Sequence, residues 1–476
     1  MKAVSVFNDV LGPIMHGPSS SHTAASFRIG RLARNLLGEQ PASVTFTFNK
    51  NGSYGEVYRQ QGSDLALASG LMGWSITDER FFQALEWAKK IGIKICFKID
   101  ELENENHPNA MEIKMISKMG RHLRAVAKSI GGGSVVFTKL DGWDVKIYGD
   151  AYEVLVSLAK EGEKTVKELI TRDEKLLGLP QRQKRGDEVL LHFRRLCALD
   201  RDVMNSLESL SSVNNIWTTS PIFFIQCGEP IFSSGSEMVA MAEKRGCSLG
   251  RIALTYEASL LGISEKDALR EMSHRFDIMQ AAVIKGLGEK PLPMKLLHPS
   301  ARKIYQAEES GKVAIGGIHT RAAARAMAVM HVNSSMGVVC AAPTGGAAGV
   351  IPGVMVTLAK EKKLDEEQIA LALFAASAIG LILAMRGTFA AEVAGCQVEI
   401  GAAGAMAAAA VVELAGGTAR QATDAAAISF QNTMGSVCDL VQGIVEIPCH
   451  TRNAVAASSA LSVRISFLED MKTRYR

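Results

Sequence analysis

The 476-residue sequence lacks any strong charge asymmetry: 53 Lys and Arg face 49 Asp and Glu, a formal net charge of +4. No block of five or six like charges occurs, which argues against a nucleic-acid-binding protein. Aromatic residues are scarce at 6%, and no repeat of fixed period marks a solenoid. The opening apolar run breaks at Asn8-Asp9, too early for a signal peptide. The eight cysteines include no close C-x2-C pair, so a structural zinc site is disfavoured. Cysteines this dispersed in a long chain suit a reducing cytosol rather than a secreted disulfide scaffold.

Apolar residues make up 47% of the chain, enough for more than one core. Ile369 to Met385 is an uncharged run, and Gly401 to Val412 is a second apolar stretch. Both are built from Ala and Gly without an aromatic belt, so they are expected to be buried helices rather than membrane spans.

The first 150 residues alternate strand and helix signals. Val44, Phe46 and Phe48 share one face of a strand, as do Ile93, Ile95, Phe97 and Ile99. Met111 to Met115, Val135 to Phe137 and Trp143 to Ile147 repeat the pattern. Ala25, Ile29, Leu32 and Leu36 fall at helical spacing, with Arg28, Arg31 and Arg34 on the opposite face. From Glu161 to Asp202 charge crowds the sequence, and Gln181-Arg182-Gln183-Lys184-Arg185 reads as an exposed connection. Beyond Ile222 helical segments follow one another. The expected class is α+β, with an α/β domain over 1–155, a charged helical linker over 156–221 and an all-α domain over 222–476.

Four cysteines, Cys96, Cys197, Cys227 and Cys247, have ordinary surroundings, and Cys340 directly precedes Ala341-Ala342-Pro343-Thr344-Gly345-Gly346. Cys396, Cys438 and Cys449 each sit at a Gly- or Pro-marked break and can converge. Such a trio suits a soft metal or an iron–sulfur cluster, although buried structural thiols fit the same spacing. Near the start, Gly17-Pro18-Ser19-Ser20-Ser21-His22-Thr23 places hydroxyls and an imidazole before a helix, an arrangement suited to an anion or to simple capping.

The run from Gly12 to Thr23 closely resembles the opening of the iron–sulfur-dependent bacterial L-serine dehydratases. The resemblance continues through His107-Pro108-Asn109, Ser129-Ile130-Gly131-Gly132-Gly133, Asn333-Ser334-Ser335-Met336-Gly337, Ala342-Pro343-Thr344-Gly345, Gly395-Cys396-Gln397-Val398-Glu399, Cys438-Asp439 and Ile447-Pro448-Cys449 with Arg452-Asn453. It implies that 1–155 is a β-type domain and 222–476 an α-type catalytic domain. It further implies a [4Fe–4S] cluster on Cys396, Cys438 and Cys449, leaving one iron open to act as a Lewis acid on the hydroxyl of L-serine. The expected products are pyruvate and ammonia. His22, Ser20, Ser21, Thr23 and Asp64 are then candidates for catalysis, with an imidazole poised near neutral pH as base. Ser19, His107, Asn109, Ser129, Gly131, Gly132, Asn333 and Thr344 are candidates for substrate binding. A cytosolic homodimer, with neither nucleic-acid nor membrane partner, completes the expectation.

Two departures stand out. Gln61-Gly62-Ser63-Asp64 occupies the place of the family's His-Gly-Thr-Asp, and Leu440 follows Cys438-Asp439 where Pro is usual. Other readings are a same-fold dehydratase or desulfidase for another small amino acid, an iron–sulfur sensor without turnover, a membrane transporter, and a pyridoxal-phosphate deaminase using Lys128 beside Gly131–Gly133.

Overall fold

The computed structural model describes residues 3–103, 105 and 107–462. The chain divides into two compact units. One is mixed α/β and comprises Ala25–Arg59 and Ser63–Cys227. The other is mainly helical and comprises the chain up to Ala24, Gln60–Gly62 and everything from Gly228. Each is described by itself.

The α/β unit holds a six-stranded sheet in the order Lys94–Asp100, Pro41–Asn49, Ala110–Ser117, His122–Ser129, Val135–Leu140 and Trp143–Ile147. Only the first pair is parallel. The alternation that identified the strands places Val44, Phe46 and Phe48 in the core, against Ile29, Leu32 and Leu36 of the helix Ala25–Leu37. Burying each such side chain contributes roughly 1.5–3 kcal/mol. The strand His122–Ser129 went unrecognised because its apolar positions, Leu123, Ala125 and Ala127, are mostly alanine.

The arginines of that helix do not simply face water. Arg28 is buried over the Phe223 ring, 4.1 Å from its centroid, and donates to the Gly133 carbonyl at 2.8 Å. Arg31 donates to the Gly73 carbonyl and Arg34 to the Leu71 carbonyl, each at 2.7 Å. These carbonyls lie at the C-terminal end of the helix Ser63–Leu71, where cations are favoured.

The segment 156–221 is not a helical linker. It completes a second sheet in the order Val213–Thr219, Tyr152–Ala159, Glu188–Arg195, Gln181–Arg185, all antiparallel, with helices Glu163–Thr171 and Arg201–Glu208 between strands. This is the β-α-β-β-α-β order of a ferredoxin-like fold. The charged Gln181–Arg185 run misled because it is an edge strand, where Lys and Arg discourage further pairing. Val154, Val156, Val189, Leu191 and Phe193 form the buried face behind it.

In the helical unit, Ile318–Ser334 packs against Glu265–Gly286, Val350–Lys362 and Cys449–Ser462. The two apolar stretches become the helices Glu366–Arg386 and Ile400–Leu414. Glu366–Arg386 and the longer span Cys396–Leu414 are apolar and long enough to cross a membrane, but 67% and 72% of their apolar windows are buried within the fold. One short strand pair was missed: Ile14–His16 runs antiparallel to Val338–Cys340.

The N-terminal segment is clamped to this unit. Phe7 packs edge-on against Phe374, with ring centroids 6.0 Å apart. The buried Glu257 carboxylate accepts the Ser5 hydroxyl at 2.5 Å and the amides of Val6 and Phe7 at 2.8 and 3.0 Å. Arg275 donates to the Leu11 carbonyl at 2.6 Å. Burial pushes the Glu257 carboxyl up to about 7 from 4.5, so the folded state holds a proton that the unfolded chain releases. Stability from this group is therefore complete below pH 4.5 and declines as pH rises through about 7. The stability of the wild type minus that of Glu257→Gln should fall by up to about 3 kcal/mol across this window. Denaturant unfolding at a series of pH values measures it; a difference that grows with pH would contradict the assignment.

Candidate functional site

The helical unit gathers four segments distant in sequence around the loop Thr344–Gly346. The first is the N-terminal Gly17–Thr23 loop. Asn333, fully buried near the end of Ile318–Ser334, donates through Nδ2 to the Pro18 carbonyl at 3.1 Å and the Gly345 carbonyl at 3.0 Å. Gly17 has to be glycine, since a Cβ there would stand 2.0 Å from the Asn333 carbonyl oxygen. The Ser19 and Ser21 hydroxyls lie 3.4 and 3.0 Å from Nδ1 of His22. The Thr23 hydroxyl donates to the Gln61 carbonyl at 2.7 Å. Ser20 is buried in the same turn. Burial pushes the His22 imidazole down to about 4, so it is neutral at pH 7 rather than poised to titrate there.

The other three segments carry the late cysteines. Cys396 follows Gly395, Cys438 lies in the loop after Ala419–Gln431, and Cys449 opens the helix Cys449–Ser462. Gly395 adopts φ +70°, and a Cβ would stand 2.7 Å from the Ser436 carbonyl, so glycine lets the first two loops meet. The Cys438 thiol is hydrogen-bonded to Cys396, and Cys449 lies within electrostatic range of both. That hydrogen bond, assisted by Arg452, holds the Cys396 thiol well below its usual range. Bonding to Cys396 pushes Cys438 up, and burial does the same for Cys449. Arg452 Nη1 donates to Cys396 Sγ at 2.9 Å and pairs with Asp439 at 3.0 Å. Among the described residues no three His, Cys, Asp or Glu side chains are grouped to hold a single metal ion. A cluster of several irons spaces its thiolates more widely than one ion does, and three thiols with an adjacent guanidinium fit that donor set.

Three further residues complete the arrangement. Thr344 donates to Glu399 at 2.7 Å. Buried Asn453 donates to the carbonyls of Gly346 and Cys449, each at 2.8 Å, and its Oδ1 accepts the Gly349 amide at 3.0 Å. Buried Glu446 accepts three successive amides, Lys295, Leu296 and Leu297, at 2.7, 2.8 and 2.7 Å, which ties the cysteine loop to the segment before Ala301–Glu309. The sequence reading assigned no role to Glu399, Arg452, Asn453 or Glu446. The first three lie inside motifs that it noted, and Glu446 had no local signal.

The remaining sequence-predicted residues belong to the α/β unit. Asn109 Oδ1 accepts the Ser53 hydroxyl at 2.5 Å, the Asn109 amide donates to His107 Nδ1 at 3.1 Å, and the Ser129 amide donates to the Asn109 carbonyl at 3.0 Å. Gly131 and Gly132 have φ of +94° and +59° in the turn that follows. Asp64 stands in the first turn of Ser63–Leu71, with its carboxyl pushed up by burial.

The helical unit brings together three thiols, a buried imidazole and a glycine-rich loop. The family described as "Serine dehydratase alpha chain" matches residues 162–473, and the chain belongs to this serine dehydratase family. It is 36% identical over 231 residues to the probable L-serine dehydratase alpha chain of Bacillus subtilis, covering 48% of this chain and 77% of that one. It is also 40% identical over 156 residues to the probable L-serine dehydratase beta chain of the same organism, covering 33% and 69%. L-serine dehydratase 1 of Escherichia coli is 32% identical over 237 residues, covering 48% and 52%.

Proposed function

We propose that this protein deaminates L-serine to pyruvate and ammonia by β-elimination of water. The observation that carries the reading is the convergence of Cys396, Cys438 and Cys449, beside Thr344–Gly346, in a unit that also holds the His22 loop. Membership of the serine dehydratase family supports it.

The reaction removes a weakly acidic α-proton and expels hydroxide, a poor leaving group. A [4Fe–4S] cluster held by the three cysteines would supply an iron free of protein thiolate, a Lewis acid for the departing hydroxyl. The chain's own residues do the rest. Ser19 and Ser21 stand against Nδ1 of His22 and orient the imidazole that takes the α-proton. Burial keeps that imidazole uncharged and able to accept. Thr344, fixed on Glu399, and the amides of Gly345 and Gly346 line the loop against which the substrate is oriented. Arg452 offsets the negative charge of the thiolates. Loss of water leaves an aminoacrylate, whose imine tautomer hydrolyses to pyruvate and ammonia. A cytosolic homodimer is the assembly that suits free thiols and the commonest closed symmetry.

The test is anaerobic reconstitution with iron and sulfide, followed by assay of pyruvate and ammonia from L-serine, L-threonine, L-cysteine and D-serine. Equal yields of both products, with L-serine preferred, are expected. Turnover of L-cysteine alone, with release of sulfide, would replace the reading by a desulfidase.

A further inference from the structure

Gln61 stands where the family's pattern has histidine, and it is held more firmly than a surface loop residue would be. Gln60–Gly62 belongs to the helical unit although the residues on either side belong to the other. The Gln61 carbonyl accepts the hydroxyl of Thr23, next to His22. Its side-chain Nε2 donates to the Gly443 carbonyl at 3.3 Å, within the loop bounded by Cys438 and Cys449. Lys295 Nζ donates to the adjacent Gln60 carbonyl at 3.1 Å, and the Lys295 amide is itself bound by Glu446 of that same loop. The turn therefore touches the imidazole-bearing loop on one side and the thiol-bearing loop on the other.

The side chain is also not the one that stability alone would select. Gln61 is 6% exposed, and its Oε1 is buried without a hydrogen-bond partner among the described residues. An unpaired buried acceptor is destabilising, whereas an apolar side chain of similar size would bury no unsatisfied acceptor of its own. The carboxamide is retained with one useful bond, to Gly443, and that bond fixes the distance between the two loops.

We infer that Gln61 is a positioning residue for the reaction, joining the loop that carries His22 to the loop that carries Cys438 and Cys449. Its kinetic consequence rests on the function proposed above; its structural consequence does not. A neutral amide makes this junction independent of pH, which an imidazole at the same place would not be.

Gln61→Leu and Gln61→His test it, in cluster-loaded protein. In Gln61→Leu the kcat for L-serine should fall about 10- to 100-fold, since small misplacement of reacting groups is costly. Iron content should hold, and the melting temperature should equal or exceed that of the wild type. Gln61→His restores an N–H donor and should recover kcat to within about fivefold, with a new acid limb in the pH profile. Hydrogen exchange at 440–446 should rise about tenfold in Gln61→Leu, whatever the turnover. Wild-type kcat in Gln61→Leu, or a kcat loss that merely tracks lost iron and a lower melting temperature, would overturn the inference. So would unchanged exchange. A wild type that makes no pyruvate while exchange responds as stated would instead defeat the proposed function and leave the junction standing.

Discussion

Replacing Cys396, Cys438 or Cys449 by serine, one at a time, is expected to bring bound iron from about four per chain to below about one and to abolish turnover. The three thiols are 42 and 11 residues apart along the chain, so no two of them form a local chelate that could hold iron by itself. Serine keeps the shape but offers a hydroxyl whose deprotonation lies far above neutral pH, and a hard oxygen is a poor ligand for iron–sulfur chemistry. Cys396 should be the most sensitive, since Arg452 Nη1 is aimed at its sulfur at 2.9 Å. Cys197→Ser and Cys247→Ser serve as controls and should keep full iron, as neither residue lies in the thiol group. Retention of full iron by all three ligand variants would falsify the assignment.

His22→Ala is expected to keep the iron and lose roughly 10²- to 10⁴-fold in kcat, the usual range for a general base. The pH dependence distinguishes this imidazole from one exposed to water. Burial lowers His22 to about 4, so the nitrogen that accepts the proton is unprotonated across pH 5 to 8. Its acid limb in kcat/KM should therefore fall near pH 4, not between 6 and 7. Ser21→Ala should have a smaller effect, about tenfold, because Ser19 also stands against Nδ1. A near-normal rate for His22→Ala would remove this residue from the proton transfer.

Local pattern carried much of this fold. Strands with bulky residues on one face, such as Val44, Phe46 and Phe48, were legible because the period of two is written in side-chain size. His122–Ser129 and Gln181–Arg185 were not, the first because alanine fills its buried face and the second because an edge strand needs no apolar face. The three cysteines, the His22 loop, Asn333 and Thr344 could be nominated from motifs. Their grouping could not, since it depends on Asn333 and Asn453 bonding carbonyls remote in sequence. Glu446 and the partners of the Gln61 turn were beyond reach for the same reason: each acts by contacts across more than a hundred residues. The division into units differed too, because the first 24 residues follow the hydrogen bonds of Glu257 and Arg275 rather than their neighbours in the chain.

The most direct test of the account is Mössbauer spectroscopy of protein reconstituted with ⁵⁷Fe, recorded before and after L-serine is added without oxygen. A four-iron cluster on three cysteines predicts that about one iron in four changes its signal on binding the substrate, while the others stay as they were. Four equivalent irons indifferent to L-serine, or no cluster at all, would contradict it.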